Sequence, residues 1–139
     1  MSQKNLFFEG SAHVPLLIMP PQGRSLPHNI SVEAPTDLVD IYPTILAMAG
    51  LSSPVSVSGK NLLEPVPMDR MFFGNSLNKN FCVMEEKVKL VYSAVGDHVL
   101  LFDLNTDPME QHNLAEDPAW QERKAKLWKL LLEHTAQYT

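Results

Sequence analysis

Apolar residues along this chain fall into two regimes. The first is a short continuous run, "VPLLIM" (Val14–Met19), with Pro15 inside it and Pro20-Pro21 after it. Such a run predicts a buried strand, of the kind found in sheets covered on both faces. The second regime is periodic. In "TDLVDIYPTILAMAGL" Leu38, Ile41, Ile45 and Met48 recur at helical spacing, with Asp37 and Asp40 at the start and Gly50 at the end. That pattern predicts a helix over 36–49, with its acidic end favoured by the helix dipole and a glycine stop. Pro43 lies inside it and should kink it, because it removes a backbone donor. The helix is expected to pack its apolar stripe on the strand.

After Ser52 the composition shifts to Ser, Pro and Gly as far as Asp69, a surface connection. Three strand-like stretches follow: "RMFFGNS", "NFCVMEEKVKLVYS" and "HVLLFDL". The middle one reads as a hairpin turning near Glu85-Glu86, and "AVGD" as the turn before the last strand. Short connections make these neighbours antiparallel. The chain then carries "DPAWQERKAKLWKLLLEHTAQY", a helix opened by Asp117 and Pro118, with Trp120, Leu127, Leu131 and Tyr138 on its apolar face. The fold class is therefore α/β in the sense of an α+β fragment. Residues 1–69 read as the end of an α/β layer with its linker, and 70–139 as a small antiparallel sheet packed against a C-terminal helix.

Composition narrows the function classes. Eleven Lys and Arg stand against 16 Asp and Glu, a net charge of −5, with no basic stripe for nucleic acid. The longest apolar run, Val14–Met19, is too short to span a bilayer, so no membrane segment is expected. The first residues lack the pattern of a signal peptide, and the single cysteine, Cys82, leaves the compartment open.

Three stretches in order resemble one family. They are Lys4-x-x-x-Phe8-Glu9-Gly10 running into Val14-Pro15; "TDLVDIYPTILAMAGL"; and "LFDLNTDPMEQHNLAEDP". Together these are similar to the C-terminal portion of sulfatases of the alkaline-phosphatase superfamily. The resemblance implies sulfate-ester hydrolysis in a complete enzyme. There a Cys or Ser in a Cys/Ser-x-Pro-x-Arg motif becomes formylglycine and a calcium ion is held by acidic and amide side chains. Lys4 matches the family's sulfate-contacting lysine. His13 falls where many relatives place arginine and is a candidate substrate contact. The nucleophile motif is missing: Cys82 lies in "FCVME", and the Ser-x-Pro stretches beginning at Ser25 and Ser52 lack the arginine. No metal ligand set is evident either. The chain alone is thus expected to be inactive. Calcium, formylglycine and the sulfate-ester substrate belong to the complete enzyme. A non-catalytic binding or assembly module, or a fragment of a phosphoesterase or phosphonate hydrolase of the same superfamily, is the alternative. Bare apolar surface on Val14–Met19 and helix 36–49 would favour a homo-oligomer.

Other chemistry-bearing residues read as structural. Glu9 is expected to be a hydrogen-bonded carboxylate, and Asp37 and Asp40 helix-end charges. Asp107, Glu110 and Asn113 look like a turn that bonds backbone donors, with a calcium loop as the sharper alternative. His28, His98, His112 and His134 are isolated, and Cys82 reads as a small core residue.

Overall fold

The computed structural model describes residues 7–19, 29, 31–54, 56–77 and 79–137. The chain forms two compact units, Met1–Pro15 with Met71–Thr139, and Leu16–Arg70.

The first unit is built on a four-stranded antiparallel sheet in the order β1 (Phe72–Ser76), β2 (Asn80–Glu85), β3 (Val88–Ser93) and β4 (His98–Asp103). Strand alternation sorts its residues into two faces. One row across the sheet is Phe73, Val83, Leu90 and Leu101, in register. This row packs with Leu127 and Leu131 of α3 (Gln121–Ala136) into the core, where Val83, Leu90, Leu101 and Leu127 are fully buried. Asp117 caps the turn that leads into α3, its side chain accepting from the Ala119 N–H, with Pro118 in the first turn as expected. Tyr138 lies outside the described residues.

The opposite row is Phe72, Met84, Lys89 and Phe102. Here the start of the chain covers the sheet. Phe8 packs on Phe102 with ring centroids 5.8 Å apart, and Phe7 meets Phe72 edge-on. Phe7 also lies over Gly74, where an added Cβ would come within 2.5 Å of its ring. Both faces of this sheet are therefore dressed, one by a helix and one by an aromatic strap, Phe7 and Phe8. Cys82 sits inside it, and burial pushes its thiol up to about 12.

The hairpin between β2 and β3 turns on Glu86 and Lys87, one residue beyond the expected pair. Both have left-handed backbone, with φ of 52° and 62°, the requirement of the primed two-residue turn that matches strand twist.

In the second unit Asp37 caps a 3-10 turn (Leu38–Asp40) that runs into α2 (Ile41–Ala49). Gly50, with φ 76°, ends α2; its N–H reaches Ala47 O and the Leu51 N–H reaches Leu46 O, satisfying two end carbonyls. Two expectations need correction. Pro43 produces no mid-helix kink: it falls in the first turn of α2, where its missing N–H forfeits little because the preceding turn is 3-10. Nor does the apolar stripe face inward. Leu38 and Ile45 are exposed, and the buried face carries Asp40, Pro43 and Thr44. Polar bonds hold that face: Thr44 Oγ1 accepts from the Leu62 N–H at 2.9 Å, and Asp40 from the Lys60 N–H at 2.7 Å.

A third correction concerns Val14–Met19. It is not a buried strand: Val14, Leu17 and Met19 are 65%, 94% and 88% exposed. A strand needs a partner for its N–H and C=O groups, and no described strand pairs with it.

Candidate functional site

Lys4 lies outside the described residues. His13 lies at the end of α1 (Glu9–Ala12), a single helical turn. That turn is fixed to the sheet by a group of charges that the alternation of β3 explains. Lys89 stands between Val88 and Leu90, so it projects to the face opposite α3, toward the aromatic strap. Its side chain is only 3% exposed; its ammonium donates to Phe7 O at 2.8 Å and Glu9 Oε1 at 2.5 Å, and it ion-pairs with Glu110 Oε1 at 2.7 Å. That Glu110 oxygen takes no hydrogen bond, so its tie to Lys89 is one of charge.

Glu110 arrives from the loop after β4, and the "TDPMEQHNL" stretch explains how. Asp107 accepts the His112 N–H at 2.8 Å, which closes the turn and, with the Gln111 N–H, holds its carboxyl below the usual range. Asn113 Oδ1 accepts from the N–H groups of Leu101 and Ala115, pegging the loop to β4. Between these pegs Glu110 takes a left-handed backbone, φ 55°, and its carboxylate is 3% exposed. The second oxygen of Glu110 accepts the Glu9 N–H at 2.6 Å, capping the start of α1. At the other end of the loop Asp103 closes a turn of its own. Burial pushes its carboxyl up, but bonds from Asn105 and Thr106 outweigh that and hold it lowered.

Glu9 bridges the buried group to the surface. Its Oε1 faces Lys89 and its Oε2 lies 3.0 Å from His13 Nδ1, while the His13 side chain is 80% exposed. The imidazole thus has one nitrogen tied to a carboxylate, an arrangement that orients a histidine. Glu9 is the hydrogen-bonded carboxylate the sequence suggested, and Asp107 and Asn113 bond backbone donors as expected. Lys89 was missed. Its one signal was a lysine in a strand whose neighbours on both sides are core residues.

The sequence matches the N-sulphoglucosamine sulphohydrolase C-terminal family over residues 1–137. This chain belongs to the sulfatase family, as its C-terminal domain. It is 34% identical to arylsulfatase K of Bos taurus over 131 residues, covering 81% of this chain and 24% of that protein. Choline-sulfatase of Rhizobium meliloti is 38% identical over 124 residues, covering 81% and 23%. Among solved structures, the phosphonate monoester hydrolase of Agrobacterium radiobacter aligns with a TM-score of 0.54 and 26% identity, over 72% of this chain and 25% of that one. The sulfatase domain described here thus spans about a quarter of the length of these relatives.

The described residues of this sulfatase domain do not fit the calcium ion or the formylglycine that the family implies. No three of their His, Cys, Asp or Glu side chains come together to hold a metal. Cys82 is closed inside the sheet. No described helix is long and apolar enough to cross a membrane.

Proposed function

We propose that this chain is the C-terminal portion of a sulfuric ester hydrolase, in which Lys4 contacts the sulfate group and His13 the substrate. The observation that carries this reading is the carboxylate-tied, outward-facing His13 nine residues after Lys4, in a chain whose family and relatives are sulfatases. Lys4 supplies a compact ammonium suited to a tetrahedral anion; His13, with Nδ1 turned to Glu9, presents Nε2 outward, which donates to an ester or sulfate oxygen when the ring is protonated. The nucleophile and the calcium ion come from residues outside this chain, so the 139 residues alone do not turn over.

The assay is aryl sulfate hydrolysis with added calcium, on the isolated chain and on the natural full-length polypeptide that contains it. Turnover by the full-length protein, abolished by Lys4→Ala, is the expected result; turnover by the isolated chain above its Lys4→Ala variant overturns the reading. A second reading, a phosphonate or phosphate ester hydrolase, draws on the likeness to the phosphonate monoester hydrolase. Phenyl phosphonate esters offered to the same full-length protein distinguish the two. Turnover of neither ester would favour a non-catalytic binding module.

A further inference from the structure

The most heavily invested polar group in the first unit is Lys89, and nothing in the chemistry of a sulfate ester requires it. We infer that Lys89 is a positioning residue: through Glu9 and Glu110 it sets the place of the short turn that carries His13. This inference rests on the sulfatase reading given above.

The argument begins with an imbalance. A buried lysine among carboxylates is a poor device for stability, because desolvation cancels much of the attraction and an apolar side chain of similar size often does as well. Position 89 has suitable apolar neighbours in its own row, Met84 and Phe102. What an apolar residue cannot supply is direction. All three partners of Lys89 bear on one short stretch of chain: its acceptors Phe7 O and Glu9 Oε1 belong to it, and its ion-pair partner Glu110 grips the Glu9 N–H with the other carboxylate oxygen. Lys89, Glu9 and Glu110 therefore close a ring of polar contacts around the N-terminal end of α1. A residue held at both its backbone and its side chain cannot slide or rotate along the sheet.

Glu9 then passes this placement outward. One carboxylate oxygen is spent on Lys89 and the other on His13 Nδ1, so the orientation of the imidazole follows from the orientation of the ring. Lys89 and Glu110 lie 80 and 101 residues from Glu9 in sequence, so the sheet unit acts as the jig for a site it does not itself line.

The test uses Lys89→Met, which keeps the length of the side chain without its charge, and Glu9→Gln, a change at a partly exposed position that leaves the core intact. In the labelled chain, amide hydrogen exchange is followed at Ser11, Ala12 and His13, whose N–H groups bond to Phe8 O, Phe8 O and Glu9 O. Leu90, in the middle of β3, reports on the sheet. Exchange at residues 11–13 is expected to quicken about tenfold in both variants, the effect of losing one charge-assisted bond, with the sheet amides unchanged. In the natural full-length protein the same variants are expected to lower kcat for an aryl sulfate about tenfold while KM moves little, since misplacement costs orientation before it costs binding. Lys89→Arg, which keeps the charge, should recover part of that loss.

Unchanged exchange at residues 11–13 in both variants overturns the inference. So does a uniform quickening that includes Leu90, which would make the group merely structural, or an unaltered kcat where exchange has quickened. Exchange is read on the chain without turnover. A wild-type protein that hydrolyses no sulfate ester, with variants that still show the selective quickening, therefore sinks the sulfatase reading and leaves the clamp standing.

Discussion

Arg70→Met should reveal how the second unit is held. Asp40 is fully buried, and each of its oxygens takes two donors. Oδ1 accepts from the Lys60 N–H at 2.7 Å and Arg70 Nη2 at 2.9 Å; Oδ2 accepts from the Asp37 N–H at 2.8 Å and Arg70 Nη1 at 2.6 Å. Removing Arg70 takes away half of the donors and the only opposite charge in this set. Stranding a buried partner costs about 3–5 kcal/mol. Two backbone donors remain on Asp40, which places the expected loss near the lower end, about 3 kcal/mol at neutral pH. That is a large part of the stability of a small domain.

The pH dependence makes the reasoning refutable. Burial pushes the Asp40 carboxyl up, but the bonds from Arg70, Lys60 and Asp37 outweigh it and hold it below the usual range. A carboxyl lowered in the folded state contributes stability that is present above its unfolded value, about 3.9, and is lost as pH falls through the folded value. In Arg70→Met burial is no longer opposed by the guanidinium, so Asp40 protonates more readily and can stay buried as a neutral acid. The deficit of the variant should be greatest at pH 7 and shrink toward pH 4. Asp37, which burial raises and Arg70 partly lowers, is raised further when Arg70 is removed and so adds to the same trend. Urea unfolding at pH 7, 5 and 4, read from the amide cross-peaks of α2, measures this. A deficit under about 1 kcal/mol at pH 7, or one that stays constant down to pH 4, would refute the account.

Two further outcomes follow from local geometry. Lys87→Gly should raise the melting temperature by a few degrees. The left-handed φ of 62° costs an L-residue about 1–2 kcal/mol, which glycine avoids at the expense of a smaller unfolded-state entropy term. A fall in melting temperature by calorimetry would contradict this. Cys82 should resist a thiol reagent at pH 8, because a thiol raised to about 12 leaves roughly one part in ten thousand as thiolate. Labelling by a chromogenic disulfide should then appear only with unfolding, and rapid labelling of the native chain would show that the sheet opens.

Much of the architecture was legible in the residues. The four strands, the turn at Ala94–Asp97, the Asp117 cap and the Leu127–Leu131 face follow from alternation, turn chemistry and helical spacing, which are local and need no knowledge of partners. The family likewise rested on short motifs in order. Where an element's environment mattered, the sequence was a weaker guide. Val14–Met19 has the composition of a buried strand, but a strand exists only with a neighbour to bond. The stripe on α2 has helical spacing, yet Asp40 and Thr44 hold the inner face, because burying hydrogen-bonded polar groups needs partners at Lys60, Leu62 and Arg70 that spacing cannot announce.

The candidate site shows the same division. Residue types and order marked Glu9, His13 and the Asp107–Asn113 turn, since each matches a motif or a local bonding habit. Only the pairing of β2, β3 and β4 decided that Lys89, of the several lysines in the chain, turns inward beneath the strap and meets Glu9 and Glu110. Register selects which face a side chain takes, and it is a property of strands brought together from distant sequence. Of the charges that hold His13, Glu9 and Glu110 could be named from the sequence, whereas Lys89 and the meeting of all three were decided by the fold.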